Sequence, residues 1–210
     1  MIVYKDIVLK EVDNMKNEII ENTFKMVNKG IILRDMTIED IDDYVIWNTN
    51  EIEWQDWDAP WETKDAINTE NLKSKFFQRL NRKMPKARSR LEICTIHGEH
   101  VGWVTSYHVD GNEKQLAIGI DIPSNKFRGK KMGELAFTLF ISYLLKSGVV
   151  LGIYTQTWSG NYRMVRLAQK CGFNVVNREV NFREIRGKLY DGLTFKLDES
   201  LFWNRFEHLK

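Results

Sequence analysis

LAIGIDIPSNKFRGKKMGELA, from Leu116 to Ala136, changes its apolar period partway along, and that change decides the fold. Up to Pro123 apolar residues alternate around Gly119, the pattern of a strand that stops at a residue unable to donate to a ladder. From about Lys131 onward, Met132, Leu135, Ala136, Leu139, Phe140 and Tyr143 recur at helical spacing, so a helix follows. The loop between them, Ser124–Lys130, brings Arg128, Gly129 and Lys130 to the helix start. Unpaired N–H groups and the positive end of the macrodipole make such a start a seat for phosphate oxygens. Gly129 and Gly133 let the backbone approach a ligand, and Arg128, Lys130 and Lys131 add positive charge. A solvated basic connection has the same composition. The stretch is not a Walker loop, because Gly129-Lys130 is followed by Lys131 and not by Ser or Thr.

A second stretch narrows the choice. Val149–Trp158 (VVLGIYTQTW) reads as a buried strand, followed by Ser159-Gly160-Asn161 and YRMVRLAQKCGF. Met164, Val165, Leu167, Ala168 and Cys171 mark one apolar helix face, with Gly172 where a C-terminal cap belongs. Strand, basic glycine loop, helix, strand, Asn, helix ending in Gly-Phe resembles the GNAT acetyltransferases, and its order of elements is most similar to their RimJ/RimL-type branch. The resemblance covers roughly residues 31–198. The branch's loop pattern, Arg/Gln-x-x-Gly-x-Gly/Ala, falls on Arg128, Lys131 and Gly133, so Lys131 stands where the pattern has its first Gly.

The resemblance implies an α+β (α/β/α) GNAT fold. Its mixed, mostly antiparallel sheet has about seven strands, splays between the fourth and fifth, and is flanked by helices. It implies acetyl-CoA as cofactor, held by Ile120, Asp121, Ile122, Phe127, Arg128, Gly129, Lys130, Lys131, Met132, Gly133, Glu134 and Asn161. A backbone N–H near Ile120–Ile122 would polarise the thioester carbonyl. Residues 30–210 form the transferase domain in this reading, and residues 1–29 an extension that packs on it or on a partner.

Composition agrees with one domain. The chain has 210 residues, 43% hydrophobic and 29% charged, with a formal net charge of +2. That balance gives no strong bulk attraction to nucleic acid or membrane. No apolar run approaches a membrane span, and MIVYKDIVLKEVD is too acidic and broken for a signal peptide. Cys94 and Cys171 read as reduced core residues, which favours the cytoplasm. The histidines are scattered without ligand spacing, so no metal site is expected.

In chain order, Ile2–Leu9 reads as a short strand, and Met15, Ile19, Ile20, Phe24 and Val27 as a helix ending at Gly30. Ile31–Arg34 is a strand; Thr37 with Asp40 then starts a helix to about Trp47. In Glu51–Glu62 (EIEWQDWDAPWE) Trp54, Trp57 and Trp61 alternate with acids including Asp58 and Glu62. Aromatic faces with carboxylates suit a cationic amine, and the family resemblance places this loop over the acceptor site. The same residues would also serve with the tryptophans anchored on the core and the acids in water. Between Lys73 and Arg90 lie eight basic residues and no acid, a solvated helix face or an RNA or ribosome dock. Leu91–Ile96 with Val101–His108, and Val175–Glu184 with Leu189–Leu197, read as hairpins. Phe202, Trp203 and Phe206 seal the core from the end of the chain.

The chemistry expected is acetyl transfer to a primary amine by direct attack. Asp121, at the end of the central strand, is the candidate base, and Asn161 the family position that reaches the cofactor or a site water. The general-acid Tyr of many GNAT enzymes falls on Ala168, leaving another hydroxyl such as Tyr162 to serve. Two acceptors stay open, a small cationic amine of polyamine or aminoglycoside type and a protein N-terminus or lysine. A non-catalytic acyl-CoA-binding module is the alternative. Monomer and homodimer are equally compatible with the sequence.

Overall fold

The computed structural model describes residues 24–62, 67–85, 87–109 and 111–210. The strand read at Ile2–Leu9 and the helix start read at Met15 lie outside them. Eight strands form one sheet: β1 (Lys25–Asn28), β2 (Ile31–Arg34), β3 (Arg90–Thr95), β4 (His100–Val109), β5 (Asn112–Asp121), β6 (Gly152–Trp158), β7 (Phe173–Ile185) and β8 (Lys188–Leu197). Their order is β1-β2-β3-β4-β5-β6-β8-β7, antiparallel throughout except at β5–β6. Among the described residues six α-helices accompany it: α1 (Asp40–Thr49), α2 (Gln55–Asp58), α3 (Thr69–Leu80), α4 (Met132–Ser147), α5 (Tyr162–Lys170) and α6 (Glu199–Arg205).

Two readings are corrected. Lys25–Asn28 is a strand rather than the end of a helix. Lys29 (φ 44°) and Gly30 (φ 87°) are both left-handed, the two-residue turn that matches the twist of a hairpin, so β1 folds back onto β2. The strand read from Val149 begins only at Gly152. Val149 and Leu151 are 49% and 74% exposed, so that apolar run belongs to a surface connection. The β7–β8 hairpin turns the same way as β1–β2, on Arg186 (φ 53°) and Gly187 (φ 78°).

Alternation along the strands sorts side chains onto two faces. Ile118 is buried with Phe137, Phe140 and Ile141 of α4 in the main core, and Ile120 and Ile122 pack against it. On the opposite face Trp103 packs with Tyr44 and Trp47 of α1, joined by Phe76 and Leu80 of α3. Phe202 of α6 is fully buried; its helix starts at Asp198, whose side chain accepts from the Leu201 N–H at 3.0 Å. Among the described residues no helix is long and apolar enough to cross a membrane.

The second core holds a buried ionic chain. Arg34 donates to both carboxylate oxygens of Asp40 at 2.6 Å. His100 Nδ1 lies 3.3 Å from Asp40 and 3.1 Å from Asp43, and its Nε2 lies 3.2 Å from Glu92. Burial works against the charge on His100, but the Glu92 hydrogen bond and the Asp40 and Asp43 carboxylates outweigh it and raise its proton affinity. Asp40, Asp43 and His100 bring ligand atoms within 4.8 Å of one another. Arg34 already holds Asp40 at both oxygens, so the cluster is an ion-pair network.

Candidate active site

β5 and β6 pair in parallel only from Gln115–Ala117 against Gly152–Tyr154. Beyond that point β6 pairs on its other side with β8, and the facing edges of β5 and β6 diverge. Thr155, fully buried, donates its hydroxyl to the Ile118 carbonyl at 2.8 Å and pins the apex of the V. A cavity of about 990 Å³ opens there, lined from β5 by Ile118–Ile122 and from β6 by Thr155–Trp158.

One wall is the start of α4. Its first intrahelical bond runs from the Leu135 N–H to the Lys131 carbonyl at 3.1 Å, so the N–H groups of Met132, Gly133 and Glu134 have no helical acceptor. Gly129 (φ 73°) and Lys131 (φ 62°) are both left-handed. Lys131 thus holds a conformation that glycine takes without steric cost, at a cost of about 1–2 kcal/mol for an L-residue. A Cβ added at Gly133 would lie 3.5 Å from Ile122 Cδ1, and one at Gly129 would meet nothing, so the loop leaves room for a ligand against its backbone.

Arg128 lines the cavity, but its guanidinium is spent on the loop itself. It donates to the carbonyls of Ile122 (3.1 Å) and Pro123 (2.5 Å) and to the Asn125 side chain, and pairs with Glu53 at 3.1 Å. Asn125 in turn donates to Glu53 at 2.6 Å. Cations free of such ties are Lys131 and Arg163, the latter on α5 with its guanidinium 4.0 Å from the Trp57 ring centre.

Asn161 caps α5, accepting from the Met164 N–H at 3.1 Å, and donates to the Trp57 carbonyl at 2.7 Å. The Trp158 indole N–H donates to the same carbonyl at 3.0 Å. Asn161 therefore lines the cavity with its amide committed at both ends, one to the helix and one to the tryptophan loop. Tyr162 is 49% exposed and rests edge-on against Trp57, outside the lining. Lys130 and Glu62 are likewise not among the lining residues, whereas the other sequence-derived site residues are.

The other end of the cavity lies on the α1 face of the sheet. Trp54, Trp57 and Trp61 wall it, with Trp158 and Phe182. Trp54 stands edge-on to Trp103 and donates its indole N–H to the Trp47 carbonyl at 2.8 Å; Trp61 meets Phe182 edge-on. Besides Glu134, which Lys170 holds at 3.0 Å, three acidic residues line the cavity, Asp58 from α2, Asp121 from β5 and Glu179 from β7. None of the three forms an ion pair with another described residue. Burial, and then the Asp58 carboxylate, raise the Asp121 carboxyl to about 7, against smaller opposing effects of Arg90 and a hydrogen bond from Trp103. Asp58 is raised too, by desolvation and by Glu62.

The sequence reading missed Glu179, Phe182, Arg163 and Thr155. It also passed over Gly102, where a Cβ would lie 2.0 Å from the Asp121 carbonyl oxygen. A lone glycine inside an apolar strand pattern was the available signal for that close approach.

An open sheet splayed at one parallel pair, with a basic helix start on one side of the gap and a carboxylate-lined chamber on the other, is the architecture of an acyltransferase. The chain belongs to the GNAT acetyltransferases: the family model described as Acetyltransferase (GNAT) domain matches residues 31–174. Among solved structures, a GNAT-family acetyltransferase from Bacillus anthracis superposes with a TM-score of 0.66 at 13% identity, covering 84% of this chain and 99% of that one. The spermidine N-acetyltransferase of Vibrio cholerae, in complex with CoA and spermine, gives 0.67 at 18% identity, covering 84% and 100%. An uncharacterised protein from Bacillus halodurans gives 0.64 at 18%, covering 89% and 95%. No curated protein sequence matches the chain.

The cofactor of this family is acetyl-CoA, and the residues present fit it. Unpaired amides at Met132–Glu134 and a cleft beside Gly129 and Gly133 suit a diphosphate, while the diverging strand edges leave backbone groups for an amide-bearing arm.

Proposed function

We propose that this protein transfers the acetyl group of acetyl-CoA to a primary amine of a small cationic acceptor, by direct attack with Asp121 as general base. The observation that carries the reading is the chamber. Asp58, Asp121 and Glu179, none of them paired to a cation among the described residues, share a lumen with seven aromatic side chains. The Asp58 carboxylate opposes the ionisation of the desolvated Asp121, and an ammonium group offsets that cost while the rings contribute cation–π attraction.

When bound, acetyl-CoA supplies an activated acyl group. The protein's part begins with Met132, Gly133 and Glu134, whose amides hold the diphosphate, with Lys131 and Arg163 as the nearby free cations. Asp121 takes the proton that the ammonium must lose. An alkylamine with pKa ~10.4 is neutral only about one part in a thousand near pH 7.4, so a base poised near 7 answers a real need. N–H groups on the open edge of β5 near Ile120–Ile122 face the reacting carbonyl, a contribution of about 2.7–4 kcal/mol when such a donor is well aimed.

A protein N-terminus as acceptor rested on the branch resemblance and on the basic run at 73–90. Two of those residues are occupied inside the fold, Arg88 with Asp35 (2.9 Å) and Arg90 with Glu92 (3.4 Å), and Lys73 pairs at the surface with Asp42 (3.4 Å). The test is thiol release from acetyl-CoA across a panel of polyamines, aminoglycosides, N-terminal peptides and lysine peptides. Release with the small cationic amines alone supports the reading. Release only with peptides moves the acceptor, and acetyl-CoA binding without release on any amine leaves a binding module.

A further inference from the structure

Arg90 is a buried charge that the mechanism above leaves unused. It stands on β3, on the same sheet face as Trp103 and Asp121, with its side chain 16% exposed. Its guanidinium lies 4.5 Å from the Trp103 ring centre and 5.2 Å from that of Tyr44. Its Nε reaches Glu92 at 3.4 Å, and it donates to the Tyr44 hydroxyl. Glu92, 1% exposed, is gripped by Tyr44 and by His100, and His100 by Asp40 and Asp43. The guanidinium therefore has no freedom to swing away. Trp103 is in turn the register partner of Asp121 across β4–β5, so Arg90, Trp103 and Asp121 follow one another across one face of the sheet.

We propose that Arg90, locked by Glu92 and Tyr44 against the ring of Trp103, is a positioning residue whose fixed positive charge, held across that ring from Asp121, favours the ionised form of the base. The inference rests on the reading of Asp121 as base. Stability alone is a weak reason for this arrangement, because a buried ion pair gains little over well-packed apolar residues of similar volume. A fixed cation behind the ring beside the base has a use. The Asp58 carboxylate, from α2, opposes the ionisation of Asp121. The charged and titratable neighbours of Arg90 are Tyr44 of α1, Glu92 of β3 and Arg79 of α3, together with Asp121.

The experiment is the pH profile of kcat/KM for the full chain, Arg90→Gln, Arg90→Lys and Trp103→Phe, with acetyl-CoA and a cationic amine. Loss of the cation shifts the acidic limb upward. Arg90→Gln is expected to move it by about one unit, a roughly tenfold loss near neutrality that is recovered at alkaline pH. Arg90→Lys keeps the charge and falls between Gln and the wild type. Trp103→Phe shrinks the ring against which the guanidinium rests, weakens its hold beside Asp121, and shifts the limb in the same direction. A limb that stays in place in both Arg90→Gln and Trp103→Phe, with activity reduced equally at every pH, overturns the proposal. Should Arg90→Gln fail to fold, Trp103→Phe alone decides it. If the limb persists in Asp121→Asn, the base assignment itself falls, and the role of Arg90 with it.

Discussion

Gly102 of β4 presses against the backbone of Asp121 so closely that the Asp121 carbonyl oxygen fills the place of a side chain, 2.0 Å from where a Cβ would stand. Backbone cannot yield as the far end of a side chain can, so Gly102→Ala must push the end of β5 outward. The expected result is a stability loss of about 1–3 kcal/mol and a fall in kcat of up to about 10²-fold from displacing the base. Urea unfolding and steady-state kinetics read the two effects separately.

Asp121 should govern the pH dependence of both rate and stability. The base must be ionised, so kcat/KM rises with pH through about 7 in the wild type. In Asp121→Asn that limb disappears and the rate falls by about 10²–10⁴-fold. For stability the sign runs the other way. The folded carboxyl holds its proton up to about 7 and the unfolded one only to 3.8, so stability is fully present below 3.8 and declines as pH rises through about 7. Asp121→Asn should thus have a higher Tm than the wild type at pH 8 and a similar one at pH 4, by calorimetry.

Glu53 ties the acceptor loop to the cofactor loop through Arg128 and Asn125. The Glu53 side chain is 48% exposed, so Glu53→Ala should alter unfolding free energy by less than about 1 kcal/mol. Its kinetic effect should be larger. With the loop untethered, the acceptor KM is expected to rise several-fold while kcat changes less.

Lys131 holds a left-handed conformation at the start of α4. Lys131→Gly should keep or raise stability, since glycine takes that conformation without steric cost. Lys131→Val should lower it by about 1–3 kcal/mol, because a β-branched residue is least tolerated there. Chemical denaturation of the two variants distinguishes a backbone role for the position from a purely electrostatic one, in which both would behave alike.

The strand–loop–helix units at Leu116–Ala136 and Gly152–Gly172 were legible because each is a change of period within one short stretch. β1 was not, because four residues are too few to show a period and its pairing is set by a turn with two left-handed residues. The acceptor chamber was half legible: Trp54, Trp57, Asp58 and Trp61 announce themselves by composition. Glu179 and Phe182 join them only because β8 sits between β6 and β7, a neighbour relation that no local pattern carries. Arg128 shows the remaining gap. Its charge is plain in the sequence, but that carbonyls and Glu53 consume it depends on where the loop folds back.

The Thr155 hydroxyl at the apex of the V has a kinetic consequence. By holding the two strands together at one end only, it leaves the cavity bounded by both strands, by the start of α4 and by the tryptophan wall. In the reaction proposed above the donor lies against the start of α4 and the acceptor against the tryptophan wall, so both are expected to be aboard at once. Double-reciprocal plots for such an enzyme intersect instead of running parallel.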